Sequence, residues 1–118
     1  MGVKNTVEVI IEMPIQQSYI ILKEIGSNMK KYKLIDSSPQ TFTIIWLKGN
    51  GWTNPIRVRA DLQSINNTRT KVCISAEIAA LVDPFNSTAK AIDLFEKSLR
   101  ERISKVSSVH QGHRAEAG

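Results

Sequence analysis

The chain carries one cysteine, Cys73, so no intramolecular disulfide is available to hold it. It has two histidines, His110 and His113, both near the C-terminus with only Glu116 as a further ligand close by. Metal sites need three or four ligands with supporting partners, so this pair reads as part of a solvated tail. The scarcity of histidine also removes the familiar nucleophilic constellations. A Ser, Thr or Cys nucleophile needs a nearby base oriented by a third group, and no histidine stands near Cys73. Carboxylate pairs exist, Glu8 with Glu12 and Asp61 with Glu77, but nothing around them signals the burial that raises a catalytic pKa. Gly49-Asn50-Gly51 lacks the following helix and lysine of a phosphate loop and reads as a turn. No catalytic residue, metal or cofactor is expected.

Long apolar runs are missing too. The segments around Val9-Ile10-Ile11 and Ile44-Ile45-Trp46-Leu47 are broken by charges within a few residues. A bilayer span needs about 20 apolar residues. The N-terminus lacks the charged start, apolar centre and small-residue site of a secretory signal. The expectation is a cytoplasmic protein.

What is present is ordinary for a folded domain: 118 residues, 42% hydrophobic and 23% charged. Lys and Arg outnumber Asp and Glu by 16 to 11, a net charge of +5, which favours an anionic partner if the cations cluster. The pattern predicts one α+β domain over 1–107 and a mobile C-terminal tail over 108–118.

Residues 6–13 alternate, with Val7, Val9, Ile11 and Met13 on one face and Glu8, Ile10 and Glu12 on the other, as in a strand with one wet side. Pro14 suits the first position of a helix. From 15 to 31 the period lengthens, placing Ile15, Tyr19, Leu22, Gly26 and Met29 on one face beside Ile25, with Lys30 and Lys31 at the helix C-terminus. Gly26 is poor for a helix and marks close packing on the sheet.

A short strand over 33–36, a turn over 37–40 and a strand over 41–48 follow, the last with Phe42, Ile44 and Trp46 on one face. Two strongly alternating strands cover 56–65 and 70–79, joined by a hairpin at 66–69. Asp83-Pro84 opens a second helix, with Asn86 or Ser87 as rival caps. Its apolar stripe is Ala91 or Ile92, Phe95, Leu99, Ile103 and Val106, and Asp93–Lys97, Glu96–Arg100 and Glu101–Lys105 offer i,i+4 pairs.

The order β-α-β-β-β-β-α predicts a curved antiparallel sheet with both helices on one face. It resembles the TBP-like or helix-grip topology, whose larger members are the Bet v1/START-like proteins, and small bacterial domains of that group. The residues that carry the likeness are Trp46, Gly51 and Trp52, the strands Ile56-Arg57-Val58-Arg59-Ala60 and Thr70-Lys71-Val72-Cys73-Ile74-Ser75, and Asp83-Pro84-Phe85-Asn86 with Ile92, Leu94 and Phe95. The resemblance implies a C-terminal helix gripping the sheet and an apolar ligand between them, although this chain has fewer strands than the larger members.

Three functional readings follow. The first is non-catalytic binding of an apolar or amphipathic small molecule, with Trp46, Trp52, Ile92, Phe95 and Leu99 as apolar walls and Tyr19 as a polar handle. Apolar residues at these spacings are more often simply core, and a structural domain without ligand is the third reading. The second is an interaction module: Arg57, Arg59 and Lys71 on the outer sheet face, flanked by Lys48 and Arg69, contacting nucleic acid phosphates. Glu8, Glu12, Asp61 and Glu77 share that face and mix its sign, and stacking aromatics are scarce beyond Trp52. If strands one and three are close, Ile10, Ile45 and Leu47 form an apolar patch for a homodimer or another protein partner.

Overall fold

The computed structural model describes residues 3–49, 54–79 and 86–117, with side chains of the last helix described as far as Lys105. The described residues form β1 (Val3–Ile11), α1 (Ile15–Asn28), β2 (Tyr32–Ser38), β3 (Thr43–Lys48), β4 (Ile56–Asn66), β5 (Arg69–Ile78) and α2 (Ser87–Ala117). The strands make one antiparallel sheet in the order β1-β5-β4-β3-β2, with both helices packed on one face.

Alternation decides which side of each strand is covered. Val9 and Ile11, Ile44 and Trp46, the set Ile56, Val58, Ala60 and Leu62, and the set Val72, Ile74, Ala76 and Ile78 are all buried beneath the helices. Two irregularities break the alternation. The β2–β3 register shifts between Leu34 and Asp36, and the β4–β5 register shifts between Ser64 and Asn66. Each inserts one unpaired residue, Ile35 and Ile65, and both isoleucines stand exposed. The strict two-residue period read from sequence does not contain these bulges.

The helix boundaries correct the sequence reading. Pro14 is the residue before α1 rather than its first member, with ψ 155° and its carbonyl accepting from Ser18 N–H. At the other end the helix stops at Asn28. Met29 is extended and Lys31 takes a left-handed φ of 70°, so Lys30 and Lys31 lie in the turn into β2. The chain must reverse there to place Tyr32 opposite Lys48.

Phe42 also has positive φ, 54°, and lies in the turn before β3 rather than on it. Its carbonyl accepts from Leu62 N–H, which keeps its ring on the covered face. The start of α2 is Ser87, with the Asn86 carbonyl accepting from Lys90 N–H. Asp83 and Pro84 lie outside the described residues. The helix runs on to Ala117, through a segment for which the sequence shows no periodicity.

Hydrogen bonds pin both helices to the sheet. The Met13 carbonyl, released as the chain leaves β1, accepts from Thr70 Oγ1 at 2.8 Å and from Ser18 Oγ at 3.4 Å. Asn5 of β1 donates to Thr88 Oγ1 in the first turn of α2 at 2.7 Å. Asn5, Ala76, Val58 and Trp46 occupy one register row across four strands. The row continues to Leu34 of β2, and Phe95 meets Trp46 toward that end, so α2 crosses the strands along it.

A candidate ligand site between sheet and helices

Trp46 is where the two helices and the sheet converge. It is fully buried, and its ring centroid lies 5.1 Å from that of Phe95 on α2. On its other side is Gly26 of α1. A Cβ at position 26 would fall inside the indole, 2.7 Å from its Nε1. The glycine expected to mark close packing therefore does so for a definite reason: the indole lies against the helix backbone. The helices are also tied by an ion pair between Glu24 of α1 and Arg102 of α2, both half-exposed.

Of the proposed wall residues, Trp46, Phe95 and Leu99 are fully buried and Ile92 nearly so, the last three on one stripe of α2. Tyr32 joins this set, its ring 6.1 Å from Phe95. Sequence reading missed Tyr32 because it started the strand one residue late; Tyr32 and Leu34 alternate in step with the covered side. Tyr19 does not join Phe95. Its ring meets Phe42 edge-on, 5.8 Å away, nearer the start of α1. Trp52 and Phe85 lie outside the described residues.

Polar groups inside this layer are few. Among the described residues the buried polar side chains are Ser18, Thr70 and Thr88, and none is charged. Three aromatic polar atoms, Tyr19 Oη, Tyr32 Oη and Trp46 Nε1, are buried without a hydrogen-bond partner among the described residues. Burial pushes the Tyr32 phenol up to about 12, so it stays protonated and able to donate.

Lys48 was expected to flank the outer face, but it alternates with Ile44 and Trp46 and stands opposite Tyr32 and Ile56, at the end of the covered side. It is half-buried. Burial, and secondarily the Lys31 cation, hold its ammonium below the ordinary lysine range.

The outer face is of mixed sign. Arg59 pairs with Asp61 at 2.9 Å, Arg69 with Glu12 at 3.1 Å, and Arg57 stands opposite Glu77. Lys71 lies opposite Gln63, separated from Arg59 by the Asp61–Cys73 row, so the three cations share a face without forming a cluster. The apolar patch does not form as expected. Two strands, β5 and β4, lie between β1 and β3, which keeps Ile10 away from Ile45 and Leu47. Among the described residues no group of three His, Cys, Asp or Glu is placed to hold a metal, and no helix is long and apolar enough to cross a membrane.

The element order, the sheet order with β1 beside the last strand, and a C-terminal helix crossing the covered side define the architecture. The fold is the helix-grip fold. Solved helix-grip structures overlay most of this chain. A START superfamily protein from Mycobacterium smegmatis matches with a TM-score of 0.67 at 8% identity, covering 90% of this chain and 99% of its own. A protein from Thermus thermophilus gives a TM-score of 0.58 at 11% identity, covering 90% and 100%. The Zhui aromatase/cyclase from a Streptomyces species gives 0.54 at 9% identity, covering 91% and 89%. At such identities the likeness is one of helix-grip architecture. No protein-family model matches the chain. No curated protein matches it in sequence.

Proposed function

We propose that this helix-grip domain is a non-catalytic binder of an apolar or amphipathic small molecule, held between the sheet and α2. The observation that carries the reading is the set of three buried donors without partners, Tyr19 Oη, Tyr32 Oη and Trp46 Nε1, in an otherwise apolar, aromatic layer. A buried polar group left unpaired costs about 1–3 kcal/mol, and native interiors rarely tolerate several. A bound molecule bringing an acceptor into this layer removes that cost, and apolar, aromatic walls with few polar groups are the usual lining of a small-molecule site. Trp46, Ile92, Phe95 and Leu99 are the apolar walls in this reading. Tyr32, whose ring meets Phe95, replaces Tyr19 as the polar handle in this reading.

The test is native mass spectrometry of the freshly purified protein against its denatured mass. A reproducible extra mass of a few hundred daltons that disappears on denaturation supports the reading and leads to the ligand. A clean apo mass, together with failure of apolar probes to bind at millimolar concentration, overturns it in favour of a filled core.

A further inference from the structure

We infer that the ligand is an amphipathic acid, its carboxylate held by Lys31 and Lys48 at one end of the grip and its apolar body directed past Tyr32 toward Phe95 and Trp46. This rests on the small-molecule reading above and adds the charge of the headgroup and the end at which it sits.

The register supplies the geometry. Tyr32 and Lys48 are direct partners across β2 and β3, on the side where Trp46 is buried. Lys31 immediately precedes Tyr32, and its carbonyl accepts from Gly49 N–H at 3.0 Å, which brings the Lys31 turn against the end of β3. The left-handed backbone at Lys31 holds this turn in place. Lys30 adds a further cation in the same turn, whereas Lys33 alternates to the outer side opposite Leu47.

No carboxylate among the described residues answers Lys31 or Lys48. The four described ion pairs engage Glu12, Glu24, Asp61 and Glu96 with arginines elsewhere. Glu8, Asp36 and Glu77 belong to the outer side of the sheet. Asp93 and Glu101 are exposed, each roughly 200° around α2 from a buried residue, Phe95 and Leu99 respectively. The sequence between Lys48 and Ile56 contains no acidic residue. Two ammonium groups thus repel one another at the rim of an apolar layer, and one of them is partly desolvated. An anion there relieves the repulsion, and the chain of rings from Tyr32 to Phe95 to Trp46 receives the rest of the molecule.

The experiment titrates the full-length protein with three probes of one shape: 2-naphthoate, its methyl ester and 2-naphthylmethylammonium. Binding is followed by calorimetry and tryptophan fluorescence at low salt and at 0.5 M NaCl. The expected order at low salt is naphthoate, ester, ammonium, with naphthoate ahead of the ester by about fivefold and the gap narrowing at high salt. Lys48→Met keeps the alkyl stem, and Lys31→Gly suits the left-handed backbone. Each is expected to remove most of the naphthoate advantage while leaving ester affinity unchanged. Ester binding equal to or tighter than naphthoate, or a naphthoate advantage that survives both substitutions, overturns the acid headgroup and leaves the small-molecule reading standing. Failure of all three probes to bind overturns the acid headgroup, and together with a clean apo mass it overturns the small-molecule reading as well.

Discussion

The two ends of the covered side of the sheet are built differently. Where β1 hands over to α1, polar groups released from the sheet are answered within the protein. The Met13 carbonyl takes two hydroxyl donors, and the Phe42 carbonyl takes the Leu62 amide. At the other end, where α1 turns into β2, Tyr32 Oη and Trp46 Nε1 have no described partner and Lys48 faces Lys31. Among the described side chains, the Tyr19 hydroxyl is the one orphan near the first end. The second end has hydrogen bonds of its own, from Gly49 N–H to the Lys31 carbonyl and from Asn5 to Thr88, yet it also keeps two unpartnered donors and two cations, which is what a site for an acceptor needs. The same sheet thus separates folding work from binding work along its strands as well as between its faces.

The largest expected effect is at the junction between the ends. Gly26→Ala is expected to destabilise by about 3 kcal/mol, because the new methyl falls within an indole that Phe95 prevents from moving. In an exposed helix the same change gains about 1 kcal/mol, so the sign of the change in urea midpoint decides whether Trp46 is pressed against the helix. Next is the closed end. Thr70→Val removes the strong donor to the Met13 carbonyl, leaving the 3.4 Å contact from Ser18, and should cost about 2 kcal/mol in the same assay.

The open end should respond with the opposite sign. Tyr32→Phe deletes an unpaired buried hydroxyl and is expected to stabilise the ligand-free protein by about 1 kcal/mol at neutral pH. It also changes the alkaline response. The Tyr32 phenol titrates at about 12 when folded against an ordinary value of 10.0. Well below the lower value both states are protonated and the group has no effect. Between the two values the unfolded phenol ionises first, so stability falls as pH rises. Wild-type denaturation midpoints should drop more steeply over that window than those of Tyr32→Phe; parallel curves would show that the phenol is wetter than its burial implies. The smallest effect belongs to the outer face. Arg59→Ala breaks a half-exposed ion pair with Asp61 and should cost under about 1 kcal/mol, shrinking further in salt. A cost as large as that of Thr70→Val would erase the distinction between faces.

Much of this fold was legible because its strands alternate cleanly. The inward sets of β4 and β5, and the stripe Ile92, Phe95 and Leu99, lie where two-residue and helical periods put them. The aromatic pair at the centre, Trp46 and Phe95, came from the same logic. What the sequence misjudged involves backbone reversals and order in space. Lys31 and Phe42 take left-handed conformations that no local pattern of Lys-Lys or Thr-Phe announces. Ile10 was grouped with Ile45 because neighbours in a sheet are not readable from periodicity. Lys48 was placed outside because lysine at a strand end is normally wet.

By itself the sequence determined the element order and the sides of the strands that are buried, since both depend on residue type and local period. Only the tertiary structure decided that Gly26 makes room for Trp46, that Tyr32 meets Phe95 beneath α2, and that Lys48 shares the end of the grip with Lys31. Those pairings join residues up to 63 positions apart. They are set by strand register and helix crossing, which are global solutions to burying the apolar side and leave no trace in any short window of sequence.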